Sequence, residues 1–141
     1  NAAHREVSAS EYASPFNAGC VVNRLDTVLL GATEIDVDFN VNVTTGSNGL
    51  IMGGSGGHSD AAAGAKLTII AANLLRGRLA IVVDKVLTAT TPGETVDVLV
   101  TERGIAVNPR RAELREQLKA AGLPVYDIQE LKQMAEKTKK Y

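Results

Sequence analysis

The order of apolar and polar residues changes character along the chain. Residues 1–20 (NAAHREVSASEYASPFNAGC) are small and polar with no sustained period, and read as an irregular approach to the fold. Residues 25–30 (LDTVLL) form an apolar run that stops at Gly31, the pattern of a buried strand entering a loop. Residues 37–43 alternate strictly, which predicts a half-exposed strand with Val37, Phe39, Val41 and Val43 inward and Asp38, Asn40 and Asn42 outward. Gly46-Ser47-Asn48-Gly49 then makes a tight turn into Leu50-Ile51-Met52, followed by a glycine-rich run from Gly53 to Asp60. Asp60-Ala61-Ala62-Ala63 are helix formers behind Ser59, an expected N-cap, so the glycines feed a helix N-terminus.

Residues 67–72 (LTIIAA) and 96–101 (VDVLVT) read as further strands. Arg76-Gly77-Arg78 turns into a strand at 79–83, Thr91-Pro92-Gly93-Glu94 is a turn, and residues 104–107 give a short extra strand. Asn108 and Pro109 open a helix with Leu114, Leu118 and Ala121 on one face, closed by Gly122. A connector at 123–126 leads to Asp127, which caps a last helix carrying Ile128, Leu131 and Met134 and ending in Lys137, Lys139 and Lys140. Several strands followed by two terminal helices predict the α/β class, an open mixed sheet flanked by helices.

Composition narrows the function classes. The 141 residues and 14.8 kDa fit one domain, and 45% hydrophobic against 22% charged residues suits a packed core. Fifteen basic and sixteen acidic groups nearly cancel, so no global field holds a nucleic acid. The lone Cys20 cannot form an internal disulfide and reads as a buried thiol, which points to a reducing, cytoplasmic setting. With two histidines and no CxxC or HExxH spacing, no metal site is expected. No run approaches the roughly 20 apolar residues of a membrane span. The first residue is Asn1, not methionine, which suggests a fragment of a longer chain.

The chemistry concentrates in Gly53, Gly54, Ser55, Gly56 and Gly57. Missing side chains ahead of a helix leave main-chain N–H groups unshielded, an arrangement suited to an anion or an oxyanion. A Walker loop fails because His58 and Ser59 follow Gly57 where Lys and Ser or Thr belong, and a dinucleotide fingerprint from Gly54 meets Ser59 in place of its third glycine. A noncatalytic phosphate- or nucleotide-binding module on the same loop stays open, as does a plain tight turn. His58 is a candidate acid, base or hydrogen-bond donor beside the loop, and Asp60 complements the helix dipole. Glu34 and Asp36 follow a strand's carboxyl end, where carboxylates do acid–base work or face water. Asn40 and Asn42 offer amides to a ligand or to solvent, and Arg76, Arg78 and Arg103 are candidate partners for an anion.

Three stretches carry a resemblance to a known family: SASEYASPF from Ser8, GATEIDVDFNVNVTTGSNGLIMGGSGGHSDAAAGAKL from Gly31 to Leu67, and TPGETVDVLVTERGIAVNP from Thr91. In these the chain resembles the citrate lyase alpha chains, which are citrate CoA-transferases, and more distantly the second domain of class I CoA-transferases. The resemblance implies a CoA-transferase-like domain over residues 1–141, the C-terminal part of a longer two-domain chain. It implies exchange of acyl groups on a thioester: citrate and an acetyl-thioester of an acyl carrier protein, or acetyl-CoA, give the citryl-thioester and acetate. Gly56 and Gly57 then supply an oxyanion hole, and Gly53, Gly54, Ser55, Asn40, Asn42 and Glu34 belong to the substrate and CoA site. The nucleophilic glutamate of related enzymes would lie upstream of Asn1, so none is assigned here, and Glu11 sits in a different segment. No covalently bound cofactor is implied, and the CoA or phosphopantetheine thioester is substrate. Implied partners are the lyase beta chain, the acyl carrier protein (gamma chain) and the N-terminal half of the same chain, in an oligomeric complex.

Overall fold

The apolar runs at 67–72, 96–101 and 104–107 become neighbouring strands because each carries β-branched residues that pack well on a pleated surface. In the computed structural model, which describes residues 3–138, the larger sheet has the order β1-β4-β8-β9-β10. Its members are β1 (Thr27–Leu30), β4 (Leu67–Ala71), β8 (Val98–Thr101), β9 (Gly104–Val107) and β10 (Val125–Tyr126). β1, β4 and β8 run parallel, β9 returns antiparallel to β8, and β10 pairs parallel with β9. A smaller sheet joins β2 (Glu34–Asp36) to β3 (Val41–Asn42) and β7 (Val82–Val83), and β5 (Leu75–Arg76) with β6 (Leu79–Ala80) forms a separate hairpin. Among the described residues four α-helices complete the fold, α1 (Ala9–Ala13), α2 (His58–Gly64), α3 (Ala112–Ala120) and α4 (Ile128–Thr138), beside three short 3-10 turns.

The main core lies between the two sheets and α4. Ile35, Phe39, Val41 and Val82 of the smaller sheet and its turn meet Ile70, Leu99 and Ala106 of the larger, and Ile128, Leu131 and Ala135 of α4 close it. A second cluster of Ala13, Cys20, Val22, Val28 and Ala61 ties α1 and α2 to the edge strand β1. The α/β class and mixed sheet match the reading of the sequence. Among the described residues no helix is long and apolar enough to cross a membrane, and no cluster of metal-binding side chains occurs.

Several local expectations are corrected. Within the first twenty residues, α1 is a helix with a complete capping box: the Ser8 hydroxyl accepts the Glu11 N–H, and the Glu11 carboxylate accepts the Ser8 N–H. β1 is an edge strand, so Leu29 stays 67% exposed and only Val28 is buried. Residues 37–43 are not one strand. Asp36 Oδ1 accepts the N–H groups of Asp38 and Asn40, and Phe39 takes a positive φ of 66°, so the chain reverses between β2 and β3. Asn42 is buried as a result, not outward-facing.

Gly57, not Ser59, precedes the first residue of α2, and no side chain caps that helix. The expected strand at 79–83 is split, because residues 75–80 fold back on themselves about Gly77 and Ile81 donates its N–H to Leu74 O. The connector at 123–126 contains β10, which sequence pattern alone could not assign because its partner β9 lies some twenty residues earlier. On α3, Leu114 and Leu118 are half-buried and Ala121 is exposed. Lys139 and Lys140 lie outside the described residues.

Candidate functional site

β1, β4 and β8 end on the same edge of the larger sheet, and a helix that crosses over between parallel strands begins at that edge. The chain leaving β1 passes through β2 and β3 before it reaches the glycines and α2, so the glycine run lies where strand ends and helix N-terminus meet. His58 fixes this placement. Its Nε2 donates to the carbonyl of Gly31, just past β1, at 2.9 Å, and its Nδ1 is hydrogen-bonded to the hydroxyl of the fully buried Thr91 at 2.6 Å. A carbonyl only accepts, which puts a proton on Nε2, while the Thr91 hydroxyl can serve Nδ1 as donor or acceptor.

The turn at 46–49 delivers the chain to the loop. Gly46 N–H donates to Leu50 O at 2.9 Å, Gly49 N–H to Gly46 O at 3.0 Å and Met52 N–H to Thr44 O at 2.8 Å. Beyond Met52 the ladder stops. The carbonyls of Ser55 and Gly57 are used, accepting from His58 at 3.2 Å and Ala61 at 2.8 Å. The N–H groups of Gly53, Gly54, Ser55, Gly56 and Gly57 meet no acceptor among the described residues. A Cβ built on Gly53, Gly54 or Gly56 would meet nothing within 4 Å, so this stretch borders open space, and Gly56 holds a φ of 55°. At its end the loop rests on α1, since a Cβ on Gly57 would stand 3.7 Å from Tyr12 Cε1. A run of unpaired donors in the open at a helix N-terminus suits an anion or a developing oxyanion.

The other sequence candidates divide. Glu34 is buried, with Oε2 accepting from Asn42 Nδ2 at 3.1 Å and Oε1 accepting the Ser47 hydroxyl. Asn42 also donates to Thr45 O and accepts the N–H groups of Thr44 and Thr45, each at 3.0 Å. Asp36 holds the Asp38 and Asn40 amides, and Asn40 Oδ1 accepts from Gly93 N–H at 2.9 Å. The polar atoms of these four side chains are thus hydrogen-bonded within the chain's own frame, with Glu34, Asp36 and Asn42 buried and Asn40 half-buried. Asp60 stands in the first turn of α2 and lines a cavity of about 220 Å³ shared with Cys20, which is buried.

Arg76 lines a groove of about 350 Å³ at the strand ends, together with Gly31, Ala72 and Asn73. Arg78 lies on the β5–β6 hairpin and Arg103 in the β8–β9 turn, and none of the three arginines makes an ion pair among the described residues. Sequence reading missed Gly31, Thr91 and Tyr12, which surround the loop from 27, 33 and 45 residues away in the chain and carry no local signal of that proximity.

Comparison with known proteins places this geometry. The chain is 60% identical over 136 residues to the citrate lyase alpha chain of Klebsiella pneumoniae, an alignment covering 96% of this chain and 27% of that protein. A crystal structure from Streptococcus mutans, assigned as the alpha subunit of citrate lyase in complex with citrate, superposes with a TM-score of 0.90 at 52% identity. It covers 94% of this chain and 26% of that one. An acyl-CoA transferase from Escherichia coli O157:H7 superposes with a TM-score of 0.52 at 26% identity over 59% of this chain and 20% of its own. The chain thus spans about a quarter of the length of the relatives it matches. The family profile of the citrate lyase alpha subunit matches residues 1–140, and the chain belongs to that family.

Proposed function

We propose that this chain is the C-terminal CoA-transferase-like domain of a longer two-domain protein that exchanges acyl groups on a thioester. Citrate and an acetyl-thioester of an acyl carrier protein, or of CoA, give the citryl-thioester and acetate. When a citrate carboxylate oxygen adds to the thioester carbonyl, the carbonyl π electrons move onto its oxygen, and as that oxygen re-forms the double bond the C–S bond breaks to leave an acyl anhydride and a thiolate. The thiolate then adds to the citryl carbonyl of the anhydride, forming the new C–S bond and expelling acetate. The intermediate negative charge needs donors already in place, and losing one such donor typically costs about 3 kcal/mol of barrier. In this reading Gly56 and Gly57 supply those donors, while Gly53, Gly54 and Ser55 border the thioester arm. The observation that carries it is the row of five N–H groups, from Gly53 to Gly57, that no acceptor among the described residues takes up.

Glu34, Asn40 and Asn42 serve this reading as the frame beneath the loop, since their polar atoms are bonded internally. Glu11 is tied into the α1 cap, consistent with a nucleophile supplied, if the reaction uses one, by the remainder of the longer protein. The cytoplasmic complex would include that remainder, a lyase beta chain and an acyl carrier protein. The test is acetyl-to-citryl exchange by the full-length protein assembled with its carrier. Gly57→Leu should lower exchange at least tenfold while the protein stays folded, and the 141-residue segment alone should fold without turning over. Undiminished exchange in the Gly57→Leu protein would refute the oxyanion assignment.

A further inference from the structure

We infer that His58 and Thr91 form a clamp that aims the glycine loop, which makes His58 a positioning residue and not a proton carrier. The kinetic part of this inference rests on the transferase reading; the structural part rests on two hydrogen bonds alone. One imidazole ring joins three segments that are remote in sequence, with Gly31 at 27 residues from His58 and Thr91 at 33. Thr91 is itself immobilised, its N–H donating to Val41 O at 3.0 Å and its carbonyl accepting Val41 N–H at 2.9 Å. Gly31 directly follows β1. The ring thus fastens the first residue of α2 to the larger sheet through one nitrogen and to the smaller sheet through the other.

The loop needs such a fastening. Its five N–H groups have no acceptors among the described residues, and α2 begins without a side-chain cap, so little else dictates where those groups point. Donors that stabilise a transient charge must be within a fraction of an ångström of their place, and a shift of about 1 Å can cost a hundredfold in rate. A proton carrier, by contrast, needs a ring nitrogen free to reach the reacting atoms. Both nitrogens of His58 already serve the fold.

The experiment uses the full-length protein with its carrier and lyase chains, and compares His58→Ala, Thr91→Val and Thr91→Ser. His58→Ala and Thr91→Val should each lower kcat for acetyl-to-citryl exchange by about 10- to 100-fold, with KM for citrate changed by less than about threefold. The double variant His58→Ala/Thr91→Val should be no slower than the worse single one, because both remove one device. Thr91→Ser, which returns the hydroxyl, should recover most of the loss. The pH–rate profile of His58→Ala should keep its shape at reduced height.

Hydrogen exchange supplies a readout independent of turnover: main-chain amides at 61–64 of α2 and at its C-cap, Ala65, should exchange about tenfold faster in both clamp variants than in the wild type. Wild-type kcat in Thr91→Val together with unchanged exchange of α2 amides overturns the clamp, and since that variant exchanges one hydroxyl for a methyl of nearly the same size, it decides the matter even where His58→Ala fails to fold. A lost limb of the pH–rate profile in His58→Ala, with Thr91→Val fully active, makes His58 a proton carrier and overturns it too. Should the wild-type protein show no acyl exchange at all, the transferase reading falls, and the α2 hydrogen exchange alone decides the clamp.

Discussion

A side chain on Gly93 would run into the main chain of Asp38, its Cβ lying 2.0 Å from the Asp38 carbonyl oxygen. The approach is cemented by hydrogen bonds: Gly93 N–H donates to Asn40 Oδ1 at 2.9 Å, and Gly93 O accepts from Asn108 Nδ2 at 3.0 Å. Neither backbone can retreat without breaking one of them. Gly93→Ala should therefore destabilise the chain by about 3 kcal/mol or more, in the upper range for overpacked interiors. Urea denaturation would show a lowered midpoint at unchanged slope, and a loss below about 0.5 kcal/mol would mean that the 91–95 turn is free to shift.

That same turn shows where sequence pattern stops being informative. The strands at 67–71, 98–101 and 104–107 were legible because each is a short β-branched run between turn signals. The alternation at 37–43 misleads because Asp36 and Asn40 form side-chain bonds that a count of apolar positions ignores, and these bend the chain at Phe39. The Ser-x-x-Glu spacing of the capping box at Ser8 and Glu11 is a signal that the reading of residues 1–20 as irregular passed over, while β10 has no such signal, since a two-residue strand exists only through its partner. In the candidate site, the glycine run and the helix after it could be seen in the sequence. The engagement of His58 with Thr91 could not, because nothing local encodes a contact across 33 residues.

Asn42 carries a buried polar seam. It donates to Glu34 Oε2 at 3.1 Å and accepts the N–H groups of the half-buried Thr44 and the buried Thr45. Asn42→Ala leaves a carboxylate oxygen and two amides without those partners and should cost about 3 kcal/mol or more. Ser47→Ala removes only the hydroxyl that Glu34 Oε1 accepts and should cost about 1.5–2 kcal/mol. The double variant Glu34→Ala/Asn42→Ala should be less damaging than the sum of its parts, because the second change removes a group the first left stranded. Thermal denaturation of the four proteins checks the order, and strict additivity would contradict the coupling.

Glu11 makes the N-terminal helix pH-sensitive. The main-chain N–H of Ser8, then its hydroxyl, then the charge of Arg5 hold the Glu11 carboxyl below the usual glutamate range. With the folded value below the unfolded one, the carboxylate contributes stability above the ordinary glutamate pKa, about 4.3, and this is lost as pH falls through the folded value. On acidification the amide resonances of Ser8 and Glu11 should titrate with a midpoint below the ordinary glutamate value of about 4.3. In Glu11→Gln the Ser8 amide should show no such titration. A midpoint at or above the ordinary value would show that the capping box does not hold in solution.

Gly53 and Gly56 separate the two reasons a loop has for lacking side chains. A Cβ at either meets nothing within 4 Å, so neither is excluded by crowding, yet only Gly56 holds a left-handed φ, 55°. Gly53→Ala should be neutral or stabilise the 141-residue chain by up to about 1 kcal/mol, through loss of freedom in the unfolded state. Gly56→Ala should destabilise it by about 1 kcal/mol, the cost of a Cβ in that backbone region. The chain has a way to relieve this strain, because no acceptor among the described residues holds the loop amides: it can rotate residue 56 to negative φ and swing the Gly57 N–H aside. Gly56→Ala in the full-length protein should therefore lose acyl exchange more than stability, by about tenfold or more in kcat for a fold that is nearly as robust. Equal stability of Gly53→Ala and Gly56→Ala would show that the turn at Gly56 is not fixed, and with it would go the case that the loop presents its donors in a set direction.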